Sequence, residues 1–149
     1  MFRNILVPVD ITPKNRRALE VARDLAMASG GSITLLHVIE TLDLPFEELK
    51  AFYDRLQERA TRDMEELSGP LREADVSFQG HVLYGERDRK IVEFATREGS
   101  DLIVLDSHRV EPGRPGRGIA TLSYRVAILA PCPVLLVKGA PEPRKEEAQ

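Results

Sequence analysis

The sequence predicts an α/β protein in which a parallel sheet carries helices on both of its faces. Five short apolar segments have the aliphatic and β-branched composition of buried strands, and four longer segments repeat apolar residues every three or four positions. The two kinds of segment alternate along the chain, as expected for β-α-β crossovers. Strands that are apolar along their whole length indicate a parallel sheet that is covered on both sides.

The first three elements are predicted in the amino-terminal part of the chain. Residues 2–9 are predicted to form a buried strand. Thr12 is the predicted N-cap of a helix over 13–29, because its hydroxyl can accept a free backbone N–H and the proline after it fits the first helical position. Gly30 ends this helix, and residues 32–38 are predicted to form the second strand.

A long helix, a third strand and a further helix are predicted next. The long helix opens at Pro45, and Gly69 with the proline after it interrupts its end. Residues 76–84 are predicted to form the third strand, with Gly80 as a β-bulge, and a helix follows over 87–98. The predicted apolar stripe of the long helix has steps of three and four residues: Leu49, Phe52, Leu56, Ala60, Met64, Leu67 and Leu71.

The last elements are a buried strand, a polar loop, a helix and an apolar strand. The strand is predicted over 101–105 and the loop over 106–117. The helix is predicted over 119–129 and the final strand over 134–138. In open parallel sheets, ligands bind beyond the carboxyl ends of the strands where the strand order reverses, so the loops after the first and fourth strands are the first candidates for a site.

Length and composition limit the class of protein. The chain has 149 residues, of which 42% are hydrophobic and 30% are charged, with a formal net charge of −3. These values predict one globular domain over 1–138 and a charged, disordered tail over 139–149. A slightly acidic chain is not expected to bind nucleic acid, and no apolar run approaches the ~18 residues of a membrane span. With no signal-peptide pattern and one cysteine, Cys132, the protein is expected to be cytoplasmic.

The motifs of common enzyme classes are missing from the sequence. It has no G-x-S-x-G elbow, no Walker P-loop and no G-x-G-x-x-G after the first strand, and its three histidines lie in separate elements. We therefore expect neither a catalytic residue nor a bound metal ion. The segment 109–118 is rich in arginine and glycine, and two interpretations stay open. It either holds phosphate with its arginines and backbone N–H groups, or it is a solvated surface loop.

Four stretches of sequence together resemble a known family. In their composition and spacing they resemble the universal stress protein family over residues 2–138. The resemblance implies an adenine nucleotide alpha-hydrolase-like fold of three layers, with a five-stranded parallel sheet in the order 3-2-1-4-5. It also implies a homodimer formed through the last strand, residues 133–138. The four stretches are ILVPVD (5–10), LLHV (35–38), SDLIVLDSHR (100–109) and APCPVLLV (130–137).

The resemblance further implies an adenine-nucleotide site, because many members of the family bind ATP or AMP. The positions that hold adenine in those members correspond here to Asp10, after the first strand, and Val38, at the end of the second. Pro8 and Val9 match the approach to that aspartate. Thr12 matches a small hydroxyl position near the phosphates.

The phosphate half of the implied site departs from the family pattern. Nucleotide-binding members have glycines where this chain has Asp106, Arg109 and Ala120, although Thr121 matches the hydroxyl residue after the last glycine. The loop between the last two of these positions is also one residue longer. Glycine allows the backbone to approach a phosphate closely, whereas a carboxylate at position 106 would repel it. We therefore expect weak binding of ATP or none.

These observations predict a cytoplasmic, homodimeric stress-response or regulatory module that acts through protein partners and is not an enzyme. A first alternative is an ATP- or AMP-binding sensor that holds phosphates with the loop 109–118. A second alternative is a weak nucleotide hydrolase, for which Asp106 is the only evident general base. An assay of phosphate release from ATP would separate the hydrolase from the other two.

Overall fold

The computed structural model describes residues 1–12, 14–41, 46–107 and 122–139. Along these residues, strands and helices follow one another in the predicted order. No helix within the described ranges is long and apolar enough to cross a membrane. The elements are β1 (Asn4–Pro8), α1 (Asn15–Ser29), β2 (Ser32–Ile39), a 3-10 turn (Phe46–Leu49), α2 (Lys50–Leu67), α3 (Gly69–Glu73), β3 (Phe78–Tyr84), α4 (Arg87–Glu98), β4 (Leu102–Ser107), α5 (Leu122–Leu129) and β5 (Val134–Lys138).

Several sequence-based predictions fall on residues that the structure does not describe, among them the start of the long helix at Pro45 and the first residues of the helix predicted over 119–129. The arginine- and glycine-rich loop lies within 108–121, and all but the first residue of the predicted tail lies within 140–149. The disorder of the tail, and with it the division of the chain at residue 138, therefore stay predictions.

The five strands form one sheet in the order β3-β2-β1-β4-β5, and every neighbouring pair is parallel. The predicted α/β fold and strand order are confirmed. The first strand of the chain lies at the centre of the sheet, where Ile5 pairs with Ile33 of β2 on one side and with Leu102 of β4 on the other. Since the strands are parallel, the carboxyl ends of β1, β2 and β4 lie at one edge, where the strand order reverses. This edge is called the carboxyl edge below.

Two hydrophobic clusters, one on each face of the sheet, fix the helices. Alternate residues of β1 supply them, since Ile5 and Val7 belong to one cluster and Leu6 to the other. This alternation explains why the strands are apolar along their whole length. The first cluster takes its helical residues from α1, α2 and α3: Ala18, Leu19, Ala22, Ala26, Met64 and Leu71. The second takes them from α4 and α5: Ile91, Phe94, Ala95 and Val126.

The predicted long helix is divided into a 3-10 turn, α2 and α3, and its apolar stripe is wrong at Phe52. The ring of Phe52 is 42% exposed, whereas the neighbouring Tyr53 is only 1% exposed. Tyr53 packs edge-on against Tyr84 of β3, with ring centroids 5.8 Å apart. The hydroxyl of Tyr84 donates to Gln57 Oε1 at 2.5 Å, one turn further along α2. Burial and the carboxylate of Asp54 raise the pKa of Tyr84, so its phenol stays protonated and acts as a donor.

Gly80 does not form the predicted bulge. The pairing of β3 with β2 is uninterrupted from Phe78 to Tyr84, and Gly80 pairs with Leu35 within it. The reason for a glycine is the packing of α2, because a Cβ atom at this position would collide with Met64 Sδ. The strand also begins at Phe78 and not at Val76 as predicted.

β4 extends two residues beyond its predicted end at Leu105. Its pairing with β5 continues through Asp106, opposite Val137, and Ser107, opposite Lys138. Asp106 was predicted to open the polar loop, but the ladder with β5 fixes its backbone within the strand. Its half-buried side chain therefore has a defined place at the carboxyl edge.

Candidate functional site

A small cavity lies at the carboxyl edge, between the ends of β1, β2 and β4. Its volume is about 80 Å³. Five of the eight predicted site residues line it: Pro8, Val9, Asp10, Val38 and Asp106. The other lining residues come from the surrounding strands and helices: Asn15, Leu36, Arg87, Ile91, Leu105 and Leu122. Residues that are far apart in the sequence thus meet at the switch point of the sheet.

The remaining three predicted site residues have different outcomes. Thr12 contacts Asp10 directly, since its hydroxyl and its backbone N–H both donate to Asp10 Oδ1, at 2.6 and 3.0 Å. Arg109 and Thr121 lie outside the described residues. The nucleotide-binding roles of all eight residues stay predictions, because the geometry shows only which of them lie together.

Asn15 supports the loop that carries Asp10. Its side chain is almost fully buried, at 3% exposure. Asn15 Oδ1 accepts the backbone N–H of Asp10 at 3.0 Å and that of Thr12 at 3.4 Å. These bonds, with those from Thr12, fix the loop and one carboxylate oxygen of Asp10. Within the described part of the chain, the second oxygen, Oδ2, accepts no hydrogen bond.

The predicted N-cap role of Thr12 is wrong. α1 begins at Asn15, and Lys14 stands at the N-cap position without a side-chain hydrogen bond to the helix. The Thr12 hydroxyl donates to the carboxylate of Asp10 instead. A charge-assisted hydrogen bond of this kind is stronger than the neutral bond that a capping hydroxyl makes.

Ile11 has an unusual backbone conformation between these two hydrogen-bonded residues. Its φ is 63°, in the left-handed region that a β-branched residue rarely adopts. This conformation costs about 1–2 kcal/mol relative to the ordinary regions. The bonds of Asp10 and Thr12 to Asn15 hold the chain on both sides of Ile11, so the network and not the preference of Ile11 sets the loop.

A larger cleft of about 410 Å³ lies beside the cavity, on the face of the sheet that α2 covers. This volume is within the range of small-molecule sites. His37 lines the cleft, and its Nδ1 lies 2.8 Å from the carbonyl oxygen of Val9. Because a carbonyl only accepts, Nδ1 carries a proton there. The cleft is otherwise lined by residues from the strand ends, α2 and α4: Asp10, Ile11, Val38, Ile39, Glu40, Leu56, Arg59, Ala60, Asp63 and Arg87.

Arg87 is a candidate that the sequence analysis missed. It is the first residue of α4 and follows the carboxyl end of β3, so the chain returns there to the same edge of the sheet. Its Nε lies 3.7 Å from Glu40 Oε1. The sequence feature that could have identified Arg87 is its position shortly after a predicted strand. Asp10 has the same kind of position.

Three charged residues are among the described residues that line the small cavity. Asp10 and Asp106 contribute two carboxylates, whereas Arg87 is the one basic residue among the described residues that line it. A bound anion is repelled by each carboxylate and attracted by the guanidinium.

Comparison with known proteins places the chain in a family. The sequence profile described as universal stress protein family matches residues 1–138. The chain is 32% identical over 145 residues to a universal stress protein encoded in the QAH/OAS sulfhydrylase 3′ region of Thermus aquaticus, which covers 93% of this chain and 100% of the relative. Among solved structures, MJ0577 of Methanocaldococcus jannaschii has a TM-score of 0.77 at 23% identity, with 95% of this chain and 99% of that chain covered.

Two further solved neighbours are complexes with nucleotides. One is a universal stress protein in complex with cAMP, with a TM-score of 0.61, 19% identity, and coverage of 93% of this chain and 98% of that one. The other is the universal stress protein of Archaeoglobus fulgidus in complex with dAMP, with a TM-score of 0.69, 20% identity, and coverage of 92% and 98%. At these identities, the likeness to solved structures shows a shared fold. Because the family profile spans nearly the whole sequence, the chain belongs to the universal stress protein family.

Proposed function

We propose that this protein is a non-catalytic regulatory module of the stress-response type that binds adenosine or an adenosine monophosphate and discriminates against ATP. The observation that carries the proposal is the joint lining of one cavity by Asp10, Val38 and Asp106. The first two residues match the adenine-holding positions of nucleotide-binding family members. The third puts a carboxylate where those members have a glycine.

The adenine half of the site has the chemistry that a nucleoside needs. Pro8, Val9 and Val38 are buried and give the cavity an apolar wall for the base. Asp10 is exposed, and Thr12 occupies only its Oδ1 atom, so Oδ2 can accept a hydrogen bond from the amino group of adenine. An apolar wall with a few convergent polar groups is the usual lining of a small-molecule site.

Asp106 supplies the discrimination against additional phosphates. Two unit charges at ~4 Å repel each other by about 1–4 kcal/mol, for effective dielectric constants between those of water and of a protein surface. Since about 1.4 kcal/mol is a tenfold change in affinity, each phosphate charge near Asp106 weakens binding roughly five- to thousandfold. Asp106 is half-buried, and solvent screening favours the lower part of this range.

The ligands of two structural neighbours support this choice of ligand class. The neighbours were solved with cAMP and with dAMP, and each of these compounds joins an adenine base to a single phosphate group. A ligand of this kind would meet the adenine-holding positions of this chain and place only one phosphate near Asp106.

Calorimetric titration of adenosine, AMP and ATP into the wild type and the Asp106→Gly variant tests the proposal. We expect the wild type to bind adenosine and AMP more tightly than ATP. The substitution should raise ATP affinity about tenfold or more, because it removes the repelling carboxylate, and should leave adenosine affinity unchanged. Asp75→Gly is a matched control: it makes the same substitution just before β3, at the opposite edge of the sheet, where φ is already 57°.

Two results would contradict the proposal. Tight ATP binding by the wild type that Asp106→Gly leaves unchanged would favour the alternative sensor, in which the loop 109–118 holds the phosphates. Release of inorganic phosphate from ATP would contradict the non-catalytic role and favour the weak hydrolase.

We also propose that the module is a homodimer formed through residues 133–138. Within the described part of the chain, β5 is an edge strand that pairs only with β4, and it exposes Leu135. α5, which packs against β5, exposes Ile128 and Leu129 at 61% and 58%. An apolar edge strand is a template for pairing with another chain, and pairing of two copies along β5 would cover this surface. Regulation would then pass through protein partners of the dimer, in the cytoplasm.

A further inference from the structure

The peptide group between Val9 and Asp10 is held by side chains from two different elements. His37 of β2 lies at one end of it, with Nδ1 2.8 Å from the carbonyl oxygen of Val9, and Asn15 of α1 accepts the N–H of Asp10 at 3.0 Å. We infer that His37 is a positioning residue, which fixes the Asp10 carboxylate for a bound adenine by donating from Nδ1 to the Val9 carbonyl. The inference rests on the proposed function and adds to it a residue that orients the adenine-holding aspartate from outside the small cavity.

The contact lies where β1 leaves the sheet. β1 ends at Pro8, and the N–H of Val9 donates to the carbonyl oxygen of Leu36 in β2 at 2.9 Å. The bond from His37 continues this connection by one group, because the ring reaches the carbonyl of the same residue, Val9. Val9 is only 5% exposed, so its carbonyl needs a donor from the protein. The His37 side chain thus supplies the donor where the strand pairing stops.

The loop has a reason to move once this bond is lost. Ile11 follows Asp10 with a φ of 63°, in a region that β-branched residues avoid. The preference of Ile11 by itself therefore favours a different course of the chain after Asp10. The hydrogen bonds of the Val9–Asp10 peptide and those of the Thr12 N–H oppose this preference. Loss of the His37 bond should reduce the fraction of molecules in which Asp10 has its binding-competent position.

His37 holds the loop from the face of the sheet opposite the small cavity. Successive side chains of a strand point to opposite faces, and the next residue, Val38, belongs to the hydrophobic cluster that α4 and α5 complete. His37 lines the 410 Å³ cleft but is not among the described residues that line the 80 Å³ cavity. A substitution of His37 therefore changes binding in the small cavity through the position of Asp10 and not through a lost contact with the base.

The tautomer of His37 gives a test that needs no ligand. Because a carbonyl only accepts, Nδ1 carries the proton whenever the imidazole is neutral, and Nε2 is then the unprotonated nitrogen. Nitrogen NMR shifts of the ring in the full-length protein distinguish the two tautomers. We expect a protonated Nδ1 and an unprotonated Nε2. The opposite assignment would overturn the inference and leave the proposed function standing.

Two substitutions separate the hydrogen bond from the packing of the ring. His37→Phe keeps a ring and loses the donor, whereas His37→Asn loses the ring and keeps a donor, Nδ2, at the same number of bonds from the backbone. In calorimetric titration, His37→Phe should weaken adenosine binding about two- to tenfold, the range for one net hydrogen bond, and His37→Asn should stay close to the wild type. His81→Phe is the matched control, because His81 is exposed on β3 and lines neither cavity.

The reverse order of the two variants would overturn the inference. If His37 only fills space, His37→Phe binds adenosine like the wild type and His37→Asn binds it weakly, while the proposed adenine site stands. Equal affinity of the two variants, whether retained or lost, would overturn the inference in the same way. Should His37→Phe fail to fold by circular dichroism, His37→Leu takes its place in the comparison. If the wild type itself binds no adenosine, the proposed function is wrong and the inference falls with it.

Discussion

Replacement of Asn15 by alanine tests the loop that presents Asp10. The substitution removes Oδ1, which accepts the N–H of Asp10 at 3.0 Å and that of Thr12 at 3.4 Å. The N–H of Thr12 keeps a second acceptor, Asp10 Oδ1, at 3.0 Å. One backbone donor, that of Asp10, is thus left without a partner. Because Asn15 is only 3% exposed, water does not readily replace it.

A buried donor left without an acceptor lowers the free energy of unfolding by about 1–3 kcal/mol. For a domain of this length, 1 kcal/mol shifts Tm by about 2–4 °C, so we expect Asn15→Ala to lower Tm by about 2–12 °C. Urea unfolding followed by circular dichroism measures the same loss directly. Adenosine binding should weaken as well, since Asp10 is no longer held in place.

The control is Arg16→Ala, one residue further along the same helix. Arg16 is 74% exposed, and its only contact in the described structure is an ion pair with Glu20 at 3.3 Å. Its removal should change the free energy of unfolding by less than about 0.5 kcal/mol. If Asn15→Ala and Arg16→Ala are equally stable, the loop does not depend on Asn15 and the reasoning is refuted.

Three further predictions concern packing and assembly. Gly80→Ala should destabilise the fold by about 1–3 kcal/mol, because the new Cβ atom collides with Met64 Sδ. Met64→Ala in the same chain should relieve much of this penalty. If the two substitutions instead lower the stability additively in thermal denaturation, the collision is contradicted. Leu135→Lys should convert a dimer to a monomer in light scattering at micromolar concentration, and a monomeric wild type would rule out pairing along β5. Truncation after Gly139 should leave Tm nearly unchanged. The charged, proline-containing segment 140–149 cannot bury enough apolar surface to offset the entropy cost of ordering it. A drop in Tm of several degrees would mean that the segment is docked.

Sequence patterns predicted the bounds of a helix or strand well where the residues that end it are adjacent to it in the sequence. α4 was predicted over 87–98 and has these bounds, because Gly99 ends it with a left-handed φ of 67°. The choice between Phe52 and Tyr53 on α2 is different. Both are aromatic and adjacent, and the decisive contact is made by Tyr84, on a strand that comes later in the chain. Periodicity cannot supply such a contact, so the wrong ring was assigned to the core.

The site was predictable to the extent that it consists of strand ends. Asp10 and Val38 could be placed together from the parallel sheet and the resemblance alone. Asn15 and Arg87 could not be assigned to the site in this way. The burial of Asn15 follows from the way the preceding loop folds back over it, so that the backbone N–H of Asp10 donates to Asn15 Oδ1. Arg87 reaches both cavities because its side chain is long and α4 starts at the right distance, which the sequence does not encode locally.

The central position of β1 has a consequence for folding during synthesis. Ile5 finds its β2 partner, Ile33, soon after translation begins, but its β4 partner, Leu102, is about a hundred residues away. At roughly 5–20 residues per second, one edge of the central strand stays open on the ribosome for roughly 5–20 s. Chains that stall or are truncated before residue 102 therefore present an unpaired, apolar strand to their neighbours. Those released after β4 lack only a peripheral strand, so the tendency to aggregate should fall sharply once β4 has been made.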